Sequence, residues 1–140
     1  PTTALDVTIQ AQIMNLLQEI KSNNQTAILL ITHDLALVRE NADDVAVMYA
    51  GRIVEHAPND EFFKNPNHPY SRALLKSLPS NPDKKLETIK GQPPALSQKI
   101  EGCKFHPRCD FCMEICNHEI PPLNYINKFH KSACFLNQLK

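Results

Sequence analysis

The stretch AILLITHD, residues 27–34, decides the fold expected of this 140-residue chain. Its first five residues form a short continuous apolar run, which is typical of a parallel strand buried on both faces. The polar group THD follows directly, so His33 is expected where that strand ends. A polar imidazole at the end of a buried strand needs a partner, and His33 is therefore the first candidate functional residue.

Helices are predicted on both sides of this strand. Upstream, apolar residues recur at the spacing of an amphipathic helix that packs on a sheet: Ile9, Ile13, Leu16, Leu17 and Ile20. Asp6 can cap the start of this helix, and Asp34 can cap the helix after the strand. A helix followed by a buried strand indicates an α/β fold.

Two β-rich runs, 45–49 and 52–57, are separated by an Ala-Gly pair at 50–51. This pattern predicts an antiparallel hairpin in which the glycine supplies the positive φ of a tight turn. The sheet therefore gains an antiparallel edge. Asn59 is expected to cap a short helix that Pro66 closes, and further helix follows.

The composition argues against nucleic-acid binding and against a membrane-spanning segment. Fifteen Lys and Arg residues balance fifteen Asp and Glu residues, and 42% of the chain is hydrophobic with no tryptophan. The zero net charge disfavours DNA or RNA as a partner, because nucleic-acid binding needs a basic surface. No apolar run approaches the roughly 20 residues that cross a bilayer. A chain that opens on PTTALD is also expected to have lost its true N-terminus, with any targeting segment.

A composition shift divides the chain. Pro, Lys, Ser and Gln dominate residues 79–102, which predicts an extended linker. The linker separates a domain at 1–78 from a cysteine-rich extension at 103–140. The extension is too short to fold on apolar burial alone, so a bound metal is expected to stabilise it.

All five cysteines lie in that extension. The upstream sequence looks cytosolic, where clustered thiols hold metals more often than they form disulfides. The candidate ligands are Cys103, Cys109, Cys116 and Cys134. Cys112 is an additional thiol, and His106, His118 and His130 are possible ligands if the metal is zinc. Free or partly disulfide-linked thiols remain the alternative.

These motifs together resemble the ABC-type ATPases. PTTALD at 1–6 resembles their D-loop, THD at 32–34 resembles their switch-histidine motif at the expected spacing, and VAVMYAGRIVE at 45–55 resembles their closing hairpin. NHPYSRALL at 67–75 is similar to a segment of the dipeptide and oligopeptide importers, in which its His and Tyr are expected to pack or cap. The cysteine spacing, with a Pro-Arg pair at 107–108, resembles the C-terminal extension of those importers.

The resemblance implies the C-terminal part of a RecA-like ABC ATPase domain. His33 would hydrogen-bond the γ-phosphate of MgATP and hold the lytic water, and Asp6 would face the opposing nucleotide-binding domain. The implied partners are transmembrane permease subunits, a second ATP-binding subunit and, indirectly, an extracytoplasmic peptide-binding protein. The implied location is the cytoplasmic face of the cell membrane.

The same resemblance also predicts which motifs an active ATPase would need in addition to these 140 residues. The Walker A loop, Q-loop, LSGGQ signature and Walker B carboxylates do not occur in them, so the chain alone is expected to be inactive. For the cysteines the resemblance implies a [4Fe-4S] cluster, with zinc as the alternative. A second hypothesis treats the chain as a metal-binding redox or interaction module, which leaves PTTALD and THD unexplained.

Overall fold

The computed structural model describes residues 7–24, 26–78, 88–95 and 98–138. The chain divides into two compact units, residues 1–41 and residues 42–140. None of the helices in these described ranges has both the length and the apolar character needed to span a membrane.

The first unit contains two helices, α1 (Val7–Asn24) and α2 (Leu35–Asn41). Both were predicted, and α1 ends within the polar run Ser22-Asn23-Asn24-Gln25. Met14 is the buried residue of α1, whereas Leu16 of the predicted stripe is 56% exposed. The apolar stripe therefore predicted the helix correctly, but most of its side chains are exposed within the described residues.

The predicted parallel strand at 27–31 is wrong for this structure. This segment is not part of any strand, and Leu29 and Ile31 are 87% and 86% exposed. A strand buried on both faces needs neighbours that pair with its backbone and cover its side chains. No other described residue pairs with 27–31 in the sheet, so its apolar character alone does not make it a strand.

The second unit is built on the predicted hairpin. Strands β1 (Asp44–Tyr49) and β2 (Arg52–Pro58) pair antiparallel, and Ala50 and Gly51 both have positive φ, 44° and 77°. The burial of β1 alternates strictly, as expected for a strand with one covered face. This hairpin confirms the prediction.

The sheet extends beyond the hairpin to four strands in the order β1-β2-β4-β3. Strands β3 (Asn124–Tyr125) and β4 (Lys131–Ser132) form a second antiparallel hairpin, and β4 pairs with β2. The fold of the described residues is therefore α/β with an antiparallel sheet, and the cysteine-rich extension contributes half of the strands.

Short helices complete this unit. They are α3 (Asn59–Lys64), α4 (Pro69–Lys76), α5 (Glu114–His118) and two 3-10 turns, His106–Arg108 and Phe135–Gln138. The expected cap by Asn59 is wrong, because its side-chain amide donates to the Ala42 carbonyl and Pro58 occupies the cap position.

Aromatic rings join the hairpin, α4 and the extension. The ring centroids of Tyr49 and Tyr70 are 4.7 Å apart, and the Phe105 centroid lies 5.2 Å from Tyr49 and 5.3 Å from Tyr70. His68 caps α4, since its Nδ1 accepts a 3.1 Å bond from the Tyr70 backbone N–H. His68 and Tyr70 therefore pack and cap, as predicted.

Candidate functional site

His33 is an exposed residue in the turn that leads into α2. Its two neighbours fix this turn: Thr32 Oγ1 accepts from the Asp34 backbone N–H at 3.1 Å, and Asp34 Oδ1 accepts from the backbone N–H groups of Ala36 and Leu37 at 2.9 and 3.1 Å. Asp34 thus caps α2 as predicted. The capped turn holds the backbone at His33, and the exposed ring is accessible to a ligand.

Asp6, the other residue assigned to the nucleotide, lies outside the described residues. Of the two residues assigned to the nucleotide, the described structure therefore contains His33, and its imidazole is exposed.

The four predicted metal ligands are brought together. Cys103, Cys109, Cys116 and Cys134 all line one small cavity of about 10 Å³. Phe105, Phe111 and Phe135 line the same cavity, and their apolar rings limit the access of water to the thiols. Cys112 does not line it and is exposed.

Burial favours the neutral form of three of the cavity thiols. Burial raises the pKa of the Cys103 and Cys134 thiols, and it raises that of Cys109 to about 11, with neighbouring cysteines adding to each shift. A metal ion would have to displace these protons, because the thiolate is the ligand.

The fit to a metal is only partial. All five thiols are free, and no three His, Cys, Asp or Glu side chains of the described residues are grouped so that they could hold a metal ion. Sulfur donors suit a soft metal, but the cavity volume of about 10 Å³ is only about enough for one water molecule. A four-iron cluster would require its walls to move apart. The hypothesis of a metal-binding module therefore has no support from the side-chain arrangement.

The histidines considered as zinc ligands occupy different places. His106 lines the cavity, and its Nδ1 lies 2.9 Å from the Cys103 carbonyl oxygen. His118 is exposed at the end of α5, and His130 is fully buried against Glu55. Of these three histidines, His106 is therefore the one that lies beside the thiols, and His68 of α4 lines the same cavity.

A buried carboxylate that the sequence analysis missed joins three segments of this unit. Glu55, on β2, is 0% exposed, and its oxygens accept from the backbone N–H groups of Asn67 and His68 at 2.6 and 2.9 Å. His130 Nε2 lies 2.7 Å from Glu55 Oε1, and His130 Nδ1 lies 3.8 Å from Glu61. The one signal in the sequence was an acidic residue inside an apolar strand.

Arg108 explains the Pro-Arg pair of the extension. Its Nε and Nη2 donate to the carbonyls of Lys90 and Gly91 at 2.8 and 3.1 Å, and Nη1 donates to the Tyr49 hydroxyl at 3.3 Å. The guanidinium also lies 6.0 Å from the Tyr49 ring centroid. This arginine therefore fastens part of the proline-rich segment to the hairpin and has a structural role.

One part of the chain matches a known protein family. Residues 54–116, which contain most of β2, the Glu55 bonds to Asn67 and His68 and the first four cysteines, match the family described as "Oligopeptide/dipeptide transporter, C-terminal region". This part of the chain is similar to that family.

Individual relatives extend the similarity to almost the whole chain. The oligopeptide transport ATP-binding protein OppD of Salmonella typhimurium is 50% identical over 137 residues, which are 96% of this chain and 41% of OppD. The dipeptide transport ATP-binding proteins DppD of Haemophilus influenzae and of Caldanaerobacter subterraneus are 48% and 44% identical, over 90% and 97% of this chain. The chain spans 39% and 42% of their respective lengths.

Proposed function

We propose that the protein to which these residues belong is the ATP-hydrolysing subunit of an ABC importer for dipeptides or oligopeptides. The observation that carries the proposal is His33, an exposed imidazole on a capped turn, in a chain whose relatives are named as peptide transport ATP-binding proteins. His33 would bond the γ-phosphate of MgATP and position the water, a role of orientation and electrostatics that suits phosphoryl transfer.

The remaining parts of the ATPase follow from the same proposal. Asp6 would face the opposing subunit across the nucleotide, and a RecA-like domain would complete the sheet beside residues 27–31. Residues 1–78, 79–102 and 103–140 would then be nucleotide-binding domain, linker and extension. This division concerns function and not packing, because β4 of the extension pairs with β2.

The partners would be two permease subunits in the membrane, a like or related ATP-binding subunit and, through the permease, an extracytoplasmic peptide-binding protein. The subunit would then lie at the cytoplasmic face of the membrane. No role for nucleic acid is proposed.

A full-length subunit with His33→Ala tests the proposal. Loss of the phosphate contact should reduce ATP hydrolysis on the order of a hundredfold while ATP binding persists. Glu40→Gln, which changes an exposed side chain on α2, is the matched control and should keep the parental rate. The 140-residue chain should show no hydrolysis. Hydrolysis at the parental rate in the full-length His33→Ala subunit would refute the assignment.

For the extension we propose that Cys103, Cys109, Cys116 and Cys134 hold a [4Fe-4S] cluster, with zinc as the alternative. The proposal rests on the resemblance of the cysteine spacing to the extension of the peptide importers. The four thiols line one cavity but are not grouped as ligands, so metal binding requires that they turn toward a common centre. Anaerobic purification followed by iron, sulfide and zinc analysis tests it. Metal-free protein that unfolds identically with and without chelator would refute it.

A further inference from the structure

The second hairpin presents an apolar and basic surface that neither the ATP site nor the cysteine cavity uses. Residues 122–129 are all exposed. Tyr125 and Phe129 are 66% and 60% exposed, and Ile126 is exposed beside them. We call the exposed side chains of residues 120–131 the hairpin surface. An apolar patch of this kind on a soluble chain marks a place of contact.

The hairpin surface has charges of one sign. Residues 120–131 contain Lys128 and Lys131 and no acidic residue. The Lys128 ammonium lies 4.9 Å from the Phe129 ring centroid, and that of Lys131 lies 4.4 Å from the Tyr125 ring centroid. Each aromatic ring is therefore paired with a cation that can stay in water while the ring enters an apolar phase.

The basic character continues into an adjacent groove of about 150 Å³. Ile53, Ile120 and Leu123 form much of its apolar wall, Arg52 and Lys104 also line it, and no acidic residue does. The nearest acidic residue in sequence is Glu119, which is exposed.

The loop of the hairpin is held in one conformation. Asn127 Oδ1 accepts from the backbone N–H groups of Phe129 and His130 at 3.0 and 2.9 Å, and the Ile126 N–H donates to the His130 carbonyl at 2.8 Å. The buried His130 is in turn fixed to Glu55 at 2.7 Å. Because the loop is already ordered, contact with a surface costs little conformational entropy.

We propose that the hairpin surface inserts its aromatic tip into an anionic lipid membrane. Exposed aromatic rings would lie at the level of the headgroups, and the lysines, Arg52 and Lys104 would attract the anionic lipids. Residues 120–131 and the groove lining carry basic but no acidic side chains, and this favours a lipid surface over a mixed-charge protein surface, although Glu119 and Glu61 lie at the edge. The inference needs neither nucleotide nor permease, so its failure is separate from failure of the proposed ATPase function.

Sedimentation of the 140-residue chain with vesicles tests this proposal. The chain should sediment with vesicles of phosphatidylcholine and phosphatidylglycerol in equal amounts, much less with phosphatidylcholine alone, and less as salt rises. Tyr125→Ser with Phe129→Ser should weaken partitioning on the order of tenfold. Lys128→Gln should weaken it roughly fivefold.

Matched controls distinguish binding through the hairpin surface from non-specific apolar adsorption and from an effect of net charge. Leu29→Ser with Ile31→Ser removes two highly exposed apolar side chains elsewhere, and Lys99→Gln removes one exposed charge elsewhere. Both controls should partition like the parent, and circular dichroism should show all variants folded. Three outcomes overturn the proposal: no binding to the anionic vesicles, equal losses in the controls, or hairpin variants that bind normally but no longer self-associate.

Discussion

Replacing Glu55 with alanine should be among the most destabilising single changes in the second unit. The carboxylate is 0% exposed and accepts two backbone N–H bonds, at 2.6 and 2.9 Å, with His130 Nε2 at 2.7 Å from the same carboxylate. Removing the carboxylate leaves two buried backbone N–H groups and a buried imidazole nitrogen without their partner, and each buried donor left without a partner costs about 1–3 kcal/mol. We therefore expect a loss of about 3–5 kcal/mol, which is a large part of the roughly 5–15 kcal/mol that stabilises a domain.

Urea denaturation measures this loss. The chain has no tryptophan, so the transition should be followed by far-ultraviolet circular dichroism together with tyrosine fluorescence. Glu55→Gln keeps one acceptor oxygen but places an amide N–H against a donor, so it should fall between the parent and Glu55→Ala.

An exposed carboxylate of the same unit provides the control. Asp60 forms a 3.7 Å ion pair with Lys64 one turn away on α3, and its side chain is 92% exposed. Asp60→Asn should therefore leave the midpoint of unfolding nearly unchanged, because exposed pairs contribute little. If Glu55→Ala unfolds at the same urea concentration as Asp60→Asn, the buried carboxylate does not hold the three segments together and the reasoning is wrong.

Three further outcomes follow from the packing, the burial of a histidine and an exposed apolar segment. Gly102→Ala should destabilise the second unit by more than about 3 kcal/mol in urea denaturation, because the added Cβ would lie 2.7 Å from the Asn117 carbonyl carbon and the backbone would be strained at φ +61°. Gly91→Ala has similar strain at φ +68°, but its Cβ would have its nearest neighbour at 3.7 Å, so it should cost only about 1–3 kcal/mol. Equal losses of stability in the two variants would contradict the steric argument. Burial and then the nearby Arg72 lower the pKa of His68 from 6.5 to about 4, so the unfolded chain binds the proton more readily than the folded chain. The contribution of neutral His68 to the free energy of unfolding is therefore complete above pH 6.5 and should fall by roughly 3 kcal/mol as pH falls toward 4. A His68→Asn variant whose stability has the same pH dependence as the parent would contradict this. Leu29→Ser with Ile31→Ser should reduce self-association in sedimentation velocity, and a parent that is monomeric at all concentrations would contradict this.

Features set by local chemistry could be predicted from the sequence. The Ala-Gly pair at 50–51 requires positive φ, Pro69 suits a first helical turn, and Asp34 caps α2 because its side chain reaches backbone N–H groups two and three residues ahead. Each of these rules acts within a few residues. The family resemblance rested on such short motifs, and the matched region and relatives confirm it.

Features that depend on distant partners could not be predicted. Residues 27–31 are apolar enough for a strand, but strand formation also needs pairing backbone. Glu55 and His130 are 75 positions apart, and nothing in the intervening sequence indicates that they meet. The grouping of four cysteines was expected from their clustering in the sequence, whereas the sequence did not indicate that the buried Phe105 and Phe135 and His68 of α4 would line the same cavity.

The Arg108 contacts change how the proline-rich segment should be treated in protein engineering. Lys90 and Gly91 are bonded to Arg108 through their carbonyls, and Lys90 also pairs with Asp110 at 2.7 Å. Residues inserted there would have to break several contacts at once, although composition alone would recommend the site as a spacer. Ala50 and Gly51 are exposed and form no such bonds to the described residues of the extension, so a reporter or affinity tag is better accommodated between β1 and β2.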